Sequence, residues 1–475
     1  MKRSDYLRQR RSRGKEPSRR RKYLLRFVGL LLGLAVLYQL PPVKERLSWR
    51  IYDLRTSIQY YFEKRSIASD GIDEGKQLEL IVRATTAAMT QAAFSEAGQS
   101  AVLTPNPTGV EKAKNTPTPG PTLPPLPESV FLEGVTWITQ LGRWNYCGPV
   151  NLTMALKYWG WKGNPDDVAR VIKPGVNDDS LNFIDRGKPD KNVMPYEMAS
   201  FVEEETDFNV ITRNGGSNNL IKHLVSKGFP VIVEKGHIGP DSAGNVGWYG
   251  HYLFVTGYDD LENTFIVQDT YPDPDRNGEN LPVKYETFQE EWRAFNYIFM
   301  VIYPAERENE IYEILGPWGD NEWSNRHALE MAKAEADSLT GMDQFFAWFN
   351  VGTSHVDLLE YADAAFAYDY ALFVLYPGIH EDDMKRPYRM LWYQTGPYWA
   401  YYYSGRYQDV IDRANHTLYN THSTTPTFEE SFYWRGLAYN ALGQTDKAIE
   451  DFRQSVYLNP NFIPGWDMLA LLGIE

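Results

Sequence analysis

Cys147 is the only cysteine among the 475 residues of this chain, and its neighbours are those that a reactive thiol requires. It opens the stretch CGPVNLTMALKYWGW, where a glycine and a proline precede an apolar run with helical spacing. Pro149 suits a first helical turn, so the pattern predicts a helix near 148–159 that starts at the thiol. A helix N-terminus stabilises a thiolate, the nucleophilic form of cysteine. The alternative is that Cys147 is a small buried core residue.

A nucleophilic thiol needs a general base, and that base needs a third group to orient it. Of the eight histidines, His251 opens the predicted strand HYLFVTGY, and the next predicted strand, TFIVQD, ends at Asp269. If Tyr258 pairs with Thr264 across the turn, Asp269 is the diagonal neighbour of His251 on one face of the hairpin, within side-chain reach. A register slip of one residue would break this alignment.

The residues alone leave other interpretations of these side chains open. If Cys147 is only a core residue, His251 has only a structural role. If Asp259 or Asp260 is the orienting acid, Asp269 is only a turn residue. His237 is interpreted as a surface or structural residue. The joint spacing of Cys-Gly-Pro, Gly-His-Tyr and the aspartate nevertheless favours thiol-based catalysis.

These motifs resemble the C39-type cysteine peptidases, and in particular their stand-alone C39-like relatives, over residues 130–304. The resemblance rests on Gln140 and, in family order, on CGPVNLTMALKYWGW, GFPVIVE, GHYLFVTGYDD and QDTYP. It implies a papain-like α+β fold, with Cys147 as nucleophile, His251 as base, Asp269 as orienting acid and Gln140 as oxyanion-hole donor. Well-known family members cleave leader peptides after a double glycine and are fused to transporters. This sequence has no transporter segment or ATP-binding loop, so that substrate is not carried over.

The N-terminal region predicts a membrane anchor. Residues 1–26 carry twelve Lys and Arg and two acids, which gives this segment a net charge of +10. Since the whole chain has a net charge of −14, the remaining residues have a net charge of −24. An apolar run follows, which with its flanks spans 23–40, a length that crosses a thin bilayer. We expect an uncleaved signal anchor, with a cleaved signal peptide as the alternative. The basic tail (1–22) then stays in the cytoplasm and the acidic body lies outside a bacterial cell.

Composition divides the remainder into three parts. Residues 41–129 contain two predicted helices and a Pro/Thr-rich spacer that cannot pack a core. Residues 130–304 mix helices, such as 195–205, with strands joined by short turns, which indicates an antiparallel sheet and an α+β class. Residues 305–475 lack strand patterns and contain repeats.

The repeats match the tetratricopeptide pattern. The last copy reads SFYWRGLAYNALGQTDKAIEDFRQSVYLNPNF, and Gly436 precedes Ala448 by the same twelve residues that separate Gly352 from Ala364 in the first copy. A middle copy contains Tyr401 to Tyr403, which cannot all point inward because consecutive helical residues are about 100° apart. We expect the repeats to bind a protein or peptide and to be separable from the peptidase part after residue 304.

The sequence predicts no cofactor, no metal and no nucleic-acid partner. The acidic body argues against nucleic acid. Residues 273–284 resemble a calcium loop, but position twelve is Lys284 where a bidentate glutamate is required, so a polar turn is favoured. The resulting hypothesis is a membrane-anchored, extracellular, C39-like cysteine peptidase that hydrolyses peptide bonds. The alternatives are a catalytically silent binding or scaffold protein on the same fold, and thiol-dependent acyl transfer.

Overall fold

The structure is a computed structural model that describes residues 125–189, 192–240, 246–271, 277–380, 382–419 and 427–474. The predicted basic tail, the anchor at 23–40, the juxtamembrane helices and most of the spacer lie outside the described residues. Within the described part, none of the helices combines the length and the apolar character that a membrane crossing needs.

Residues 125–304 form one antiparallel sheet with helices on both faces. Its strands β1–β7 are Ser129–Phe131, Phe208–Arg213, Val231–Pro240, Val246–Asp259, Thr264–Gln268, Leu281–Lys284 and Phe299–Pro304. The helices α1–α6 are Cys147–Tyr158, Pro165–Ile172, Phe183–Arg186, Pro195–Glu205, Asn218–Ser226 and Tyr285–Arg293. This arrangement confirms the predicted α+β class.

The alternation of side chains along β4 builds two separate cores, because successive strand residues point to opposite faces. Tyr252 and Phe254 pack with helices α1, α2 and α4. Leu253 and Val255 pack on the other face, with α5 and α6. The continuous apolar run in the sequence therefore reflects a strand that is buried on both sides.

The strand order differs from a simple meander. The order is β2-β7-β3-β4-β5-β6, with β1 paired to β4. The last strand, β7, thus lies between β2 and β3, and not beside β6 as a chain of short turns would place it. A meander follows from sequence order alone, whereas the position of β7 is set by packing across the whole sheet.

The predicted register of the β4–β5 hairpin is wrong at its turn. Tyr258 pairs with Phe265, one residue away from the predicted partner Thr264. A bulge at Thr256 then shifts the pairing, so that Val255 lies opposite Val267. A bulge inserts one extra residue on one strand. Beyond it the register is therefore the predicted one, and it is this part of the hairpin that leads to His251 and Asp269.

The chain beyond residue 304 is helical among its described residues. Helices α7–α16 are Glu308–Leu315, Asn321–Ser338, Gly341–Asp357, Tyr361–Asp369, Met390–Tyr393, Gly396–Tyr403, Tyr407–Tyr419, Glu429–Ala441, Thr445–Leu458 and Ile463–Leu471. We call residues 305–474 the repeat region. Helix pairs lie where the three repeat copies are predicted, and α16 follows the last pair.

The small residues of the repeats make room for aromatic rings. A Cβ atom on Gly352 would lie 2.7 Å from the ring of Tyr368, and one on Gly436 would lie 2.7 Å from the ring of Phe452. In both copies the ring follows the glycine by sixteen residues, so the two helix pairs close in the same way. Tyr401 is fully buried while Tyr403 is 54% exposed, as the angular argument predicts.

The repeat region packs directly against residues 125–304. The indole of Trp248, on β4, is buried among Phe295, Phe346 and Tyr393, and the last two belong to α9 and α11. The Arg293 guanidinium also forms ion pairs with two acids of the repeat region. The two parts therefore share a core, which argues against the expectation that the repeats can be removed after residue 304 without affecting the thiol.

Candidate active site

Cys147 is the first residue of α1, as the glycine and proline that follow it predict. The preceding residue, Tyr146, gives the helix no side-chain cap, so the amides of the first turn are not occupied by a capping group. Asn145 has a φ of 53°, a left-handed conformation that asparagine tolerates, and it turns the chain into the helix. The thiol is half-buried and free of any disulfide. These features suit an anion at the sulfur.

His251 lies between the thiol and Asp269. Its Nε2 donates to Asp269 Oδ1 at 2.8 Å, which leaves Nδ1 for the sulfur. Asp269 Oδ1 also accepts from the Tyr271 amide at 2.9 Å. The structure thus brings together the three side chains that sequence spacing selected, and the hydrogen bond to Asp269 fixes the orientation of the imidazole ring.

The backbone of Asp269 is held on two sides. Its carbonyl oxygen accepts from Trp137 Nε1 at 2.8 Å, and its amide donates to the Gly278 carbonyl at 2.7 Å. A Cβ atom on Gly278 would lie 1.8 Å from the Asp269 carbonyl oxygen, so no larger residue fits there without movement. The loop that resembles a calcium site therefore includes a residue that positions the candidate triad, and its residues 273–276 lie outside the described ones.

The electrostatics of the three groups favour a thiolate–imidazolium pair. Burial raises the pKa of Cys147, but the hydrogen bond and charge of His251, with the amides of Tyr252 and Gly148, bring it below its ordinary value. Burial lowers the pKa of His251, while the charge and hydrogen bond of Asp269, with Cys147, raise it to about 10. Between these two pKa values the sulfur is negative and the ring is positive.

Gln140 lies against the strand end that carries Asp269. Its backbone amide donates to the Thr270 carbonyl at 2.8 Å, and its Oε1 accepts from the Thr270 hydroxyl at 2.8 Å. Because the side-chain oxygen is used in this way, the NH₂ group is the end that remains to donate. Gln140 is 9% exposed, so the side chain is well fixed. This is the chemistry that an oxyanion-hole donor needs.

Asn151 is a positioning residue that the sequence analysis missed. It is fully buried on α1, and its Nδ2 donates to the carbonyl oxygens of Cys147 at 2.8 Å and Tyr252 at 3.1 Å. One amide group therefore ties the residue that carries the thiol to the strand residue that follows His251. A polar residue inside the apolar helix run was the available signal, since buried polar groups are hydrogen-bonded.

Glu234 is a second residue that the sequence analysis passed over, although it ends the quoted motif GFPVIVE. It is 1% exposed, pairs across the sheet with Tyr252, and its Oε1 has no hydrogen-bond partner. Burial and the charge of Cys147 raise its pKa well above the ordinary value, against lowering by Tyr252 and His251. Burial therefore disfavours a second negative charge next to the thiol.

The two acids that compete with Asp269 for the orienting role, and His237, have other contacts. Asp259 Oδ1 accepts from two amides of its own turn, and Asp260 binds Lys222 and Tyr285 at 2.6 Å each. The ring centroid of His237 lies 6.0 Å from that of His251. Burial, with the charges of Lys235 and His251, lowers the pKa of His237 to about 3, so it is neutral.

One group of three potential metal ligands occurs among the described residues, away from the triad. It consists of His355, Glu360 and Asp363, whose ligand atoms lie within 4.8 Å of one another. His355 Nδ1 is hydrogen-bonded to Glu360 Oε2 at 2.6 Å, which explains the grouping without an ion.

Two family models match the chain. Residues 132–300 match the Peptidase_C39 like family, and residues 429–462 match the tetratricopeptide repeat. The chain therefore carries a C39-like peptidase domain followed by a tetratricopeptide repeat, which confirms the family resemblance. No curated protein matches the chain.

Three solved structures are similar to part of the chain. They are a C39-like peptidase from Bacillus anthracis (19% identity, 37% of this chain and 98% of that chain, TM-score 0.28), the peptidase domain of Streptococcus ComA, a bi-functional ABC transporter (18%, 36% and 98%, TM-score 0.25), and xylellain, a cysteine protease from Xylella fastidiosa (14%, 38% and 87%, TM-score 0.25).

Proposed function

We propose that this protein is a cysteine peptidase that hydrolyses peptide bonds through Cys147, His251 and Asp269. One observation carries the proposal: His251 Nε2 is hydrogen-bonded to Asp269 Oδ1 at 2.8 Å, and His251 lowers the pKa of the thiol at the uncapped start of α1. An activated thiolate, a base that is also an acid, and an orienting carboxylate are the parts that acyl transfer from an amide requires.

In the first half of the reaction, the Cys147 thiolate attacks the carbonyl carbon of the substrate amide and a C–S bond forms. The negative charge that develops on the carbonyl oxygen is stabilised by the NH₂ group of Gln140 and the amide of Cys147. The His251 imidazolium then gives its proton to the leaving nitrogen as the C–N bond breaks. The amine product leaves, and a thioester remains on Cys147.

In the second half, water attacks the thioester while neutral His251 takes its proton. The C–S bond breaks, the acid product leaves, and the thiolate–imidazolium pair is restored. Asp269 stays ionised throughout and stabilises the positive ring, because burial raises its pKa but the charge and hydrogen bond of His251 lower it below the ordinary value. Atoms and charge balance with water as the sole co-reactant.

The proposal includes a location outside the cell, on an anchor formed by residues 23–40, with the repeats holding a protein or peptide. The basic tail and the apolar run support this orientation. Adding a protease to intact cells should remove the body of the chain, detected with an antibody against the repeats. Full protection of the body in intact cells, with digestion after lysis, would contradict the extracellular location.

The decisive test is a cleavage assay in ¹⁸O-labelled water. The full chain, in detergent, is incubated with a library of proteome-derived peptides, and products are identified by mass spectrometry. We expect new termini whose carboxyl groups contain one ¹⁸O from solvent, absent with Cys147→Ser and reduced at least about a hundredfold with His251→Ala. If an amine is added and the products have that amine at their new ends, with no ¹⁸O there, the reaction is acyl transfer. If the peptide library is the same after incubation with the native protein as after incubation with Cys147→Ser, the scaffold alternative is favoured.

A further inference from the structure

An arginine of the repeat region lies over the strand that carries the candidate base. Arg389 directly precedes α11, and its guanidinium carbon lies 4.1 Å from the centroid of the Tyr249 ring, on β4. Its Nη1 donates to the Trp248 carbonyl oxygen at 3.4 Å. The rings of Tyr388 and Trp392 also pack on the guanidinium, with centroids 4.8 and 5.1 Å from the same carbon. The peptidase domain and the repeat region therefore hold this cation together.

The guanidinium of Arg389 lies on the face of the sheet that carries His251. Successive strand residues point to opposite faces, so Tyr249 and His251 share one face of β4. His237 pairs with Tyr249 across the two strands, and its ring centroid lies 6.1 Å from that of Tyr249 and 6.0 Å from that of His251. A continuous row of contacts thus leads from the candidate base through His237 and Tyr249 to Arg389.

This row is short enough for one bound peptide. Two strand residues span about 7 Å, and an extended peptide advances about 3.3 Å per residue. A peptide bond held between Cys147 and His251 therefore lies about three residues from a group that contacts Arg389.

The charge of Arg389 is not neutralised within the part of the chain that the structure describes. Its contacts are with aromatic rings and one carbonyl oxygen, and no carboxylate of a described residue forms an ion pair with it. Lys235, which pairs with His251 across the sheet, is by contrast bound to Glu291 at 2.7 Å. His237 is neutral, because burial and neighbouring charges lower its pKa to about 3. Arg389 thus presents an uncompensated positive charge in a chain whose net charge is −14.

The surroundings of the guanidinium suit a carboxylate ligand. Arg389 is partly exposed, so an anion in solution can reach it. Its Nε has no acceptor among the described residues, and the contact of Nη1 with Trp248 is long, so most of its five N–H donors are unused. These donors form a planar fork that matches the two oxygens of a carboxylate. The aromatic rings hold the side chain in place without using the donors.

We propose that Arg389 is a specificity residue that binds a carboxylate of the substrate peptide, about three residues from the bond that Cys147 attacks. The carboxylate belongs to an aspartate or glutamate side chain or to the C-terminus of the peptide, since both present the same two oxygens. The inference rests on the proposed function in one respect, that the bound peptide is also the substrate. It assigns to the repeat region a direct part in substrate selection.

The test measures peptide binding to the full chain with Cys147→Ala, so that no cleavage occurs. The probes are rhodamine-labelled heptapeptides of alanine and serine with an amidated C-terminus. One set has a glutamate at each position in turn, and a matched set has glutamine, which keeps the shape and lacks the charge. A third set has neither residue and is compared with free and with amidated C-terminus.

By fluorescence anisotropy, the best carboxylate-bearing peptide should bind at least about tenfold more tightly than its neutral counterpart. A gain in the glutamate set identifies a side chain as the ligand, and a gain in the third set alone identifies the C-terminus. Equal affinities within every matched pair would overturn the proposal.

Variants of Arg389 locate the site. Arg389→Gln should remove most of the preference for the carboxylate, and Arg389→Lys should keep part of it, because an ammonium has the charge but lacks the planar fork. Arg453→Gln, which changes an exposed arginine of the repeat region, should leave the preference unchanged. If Arg389→Gln does not fold, as judged by its thermal melting, Arg389→Lys decides, with an expected loss of at least about threefold. A preference that survives unchanged in every folded Arg389 variant would place the cation elsewhere and overturn the proposal.

Carboxylate-selective binding without cleavage by the native chain would refute the proposed function and leave the assignment of Arg389 standing. Cleavage without any carboxylate preference in binding would do the reverse. The two proposals therefore fail separately.

Discussion

The pH dependence of Cys147 alkylation tests the thiolate–imidazolium pair without knowledge of the substrate. Iodoacetamide is a suitable reagent because the chain has one cysteine, so all labelling occurs at one site. The perturbation is His251→Ala, which removes the hydrogen bond and the charge, the two strongest influences that lower the pKa of the thiol. Burial, which raises that pKa, stays in place.

The expected magnitude follows from the thiolate fraction. An ordinary thiol with a pKa of about 8.5 is roughly 3% thiolate at pH 7 and about 0.3% at pH 6. In the native chain the thiol pKa lies below its ordinary value, and reactivity is present above that lowered pKa and lost as the pH falls through it. A thiolate of lower pKa is also a weaker nucleophile, by about tenfold for two units of pKa.

These two effects have opposite signs, so the profiles should cross. At pH 6 the His251→Ala variant should react at least about tenfold more slowly than the native chain. Because burial keeps the thiol pKa of the variant high, its rate should still be rising at the alkaline end of the range, where the native rate is level, and should reach or exceed the native rate once its sulfur is ionised. The assay is the loss of free thiol over time, from pH 5 to pH 10, with His223→Ala as a control histidine outside the triad.

Parallel profiles for the native chain and His251→Ala would refute the reasoning, because they would mean that His251 does not affect the ionisation of the thiol. A variant that is uniformly slower at every pH would point to a change in access and not in ionisation. Thermal melting of each variant excludes loss of folding as the cause.

Four further predictions concern the supports of the site. Hydrolysis should fall at high pH near the pKa of about 10 that the charge of Asp269 helps to give His251. Asp269→Asn should move this fall to lower pH by about one to three units. An unchanged pH–rate profile would contradict this prediction. Gly278→Ala should displace Asp269 and cut the hydrolysis rate about a hundredfold, and thermal melting should show some loss of stability because the added Cβ atom meets a backbone oxygen. Asn151→Ala should lower the free energy of unfolding by about 1–3 kcal/mol in urea titrations, since it removes the side-chain donor of two carbonyl oxygens. Truncation after Pro304 should expose Trp248 and abolish cooperative unfolding, whereas a sharp transition in calorimetry would show an independent domain.

The candidate site could be predicted from sequence where its chemistry depends on near neighbours. The glycine and proline after Cys147 define a helix start within a few residues, and that start is observed. The repeats were also predictable, because Gly352 and Gly436 must each accommodate a ring sixteen residues later, and such spacing is visible along the chain. Local conformation and short-range packing leave a periodic trace in the sequence.

The pairing of His251 with Asp269 was reached by a register that is wrong at the turn and right beyond the bulge at Thr256. The bulge leaves no distinct mark among the residues of β4, because the extra residue is accommodated by hydrogen bonds to neighbouring segments. The Thr256 carbonyl accepts from the Leu132 amide at 2.9 Å, and its hydroxyl accepts from Gln268 at 2.9 Å. Both partners are distant or on another strand.

Tertiary structure alone decided which groups surround the triad. Asn151 joins two segments 101 residues apart, burial raises the pKa of Glu234, and Trp248 links the peptidase domain to the repeats. Contacts of this kind depend on which surfaces meet when the chain folds, and a single sequence contains no periodic signal for them. The sequence by itself thus determined the candidate reactive residues and the repeat spacing, whereas the raised pKa of the buried acid, the bulged register and the shared core follow from packing.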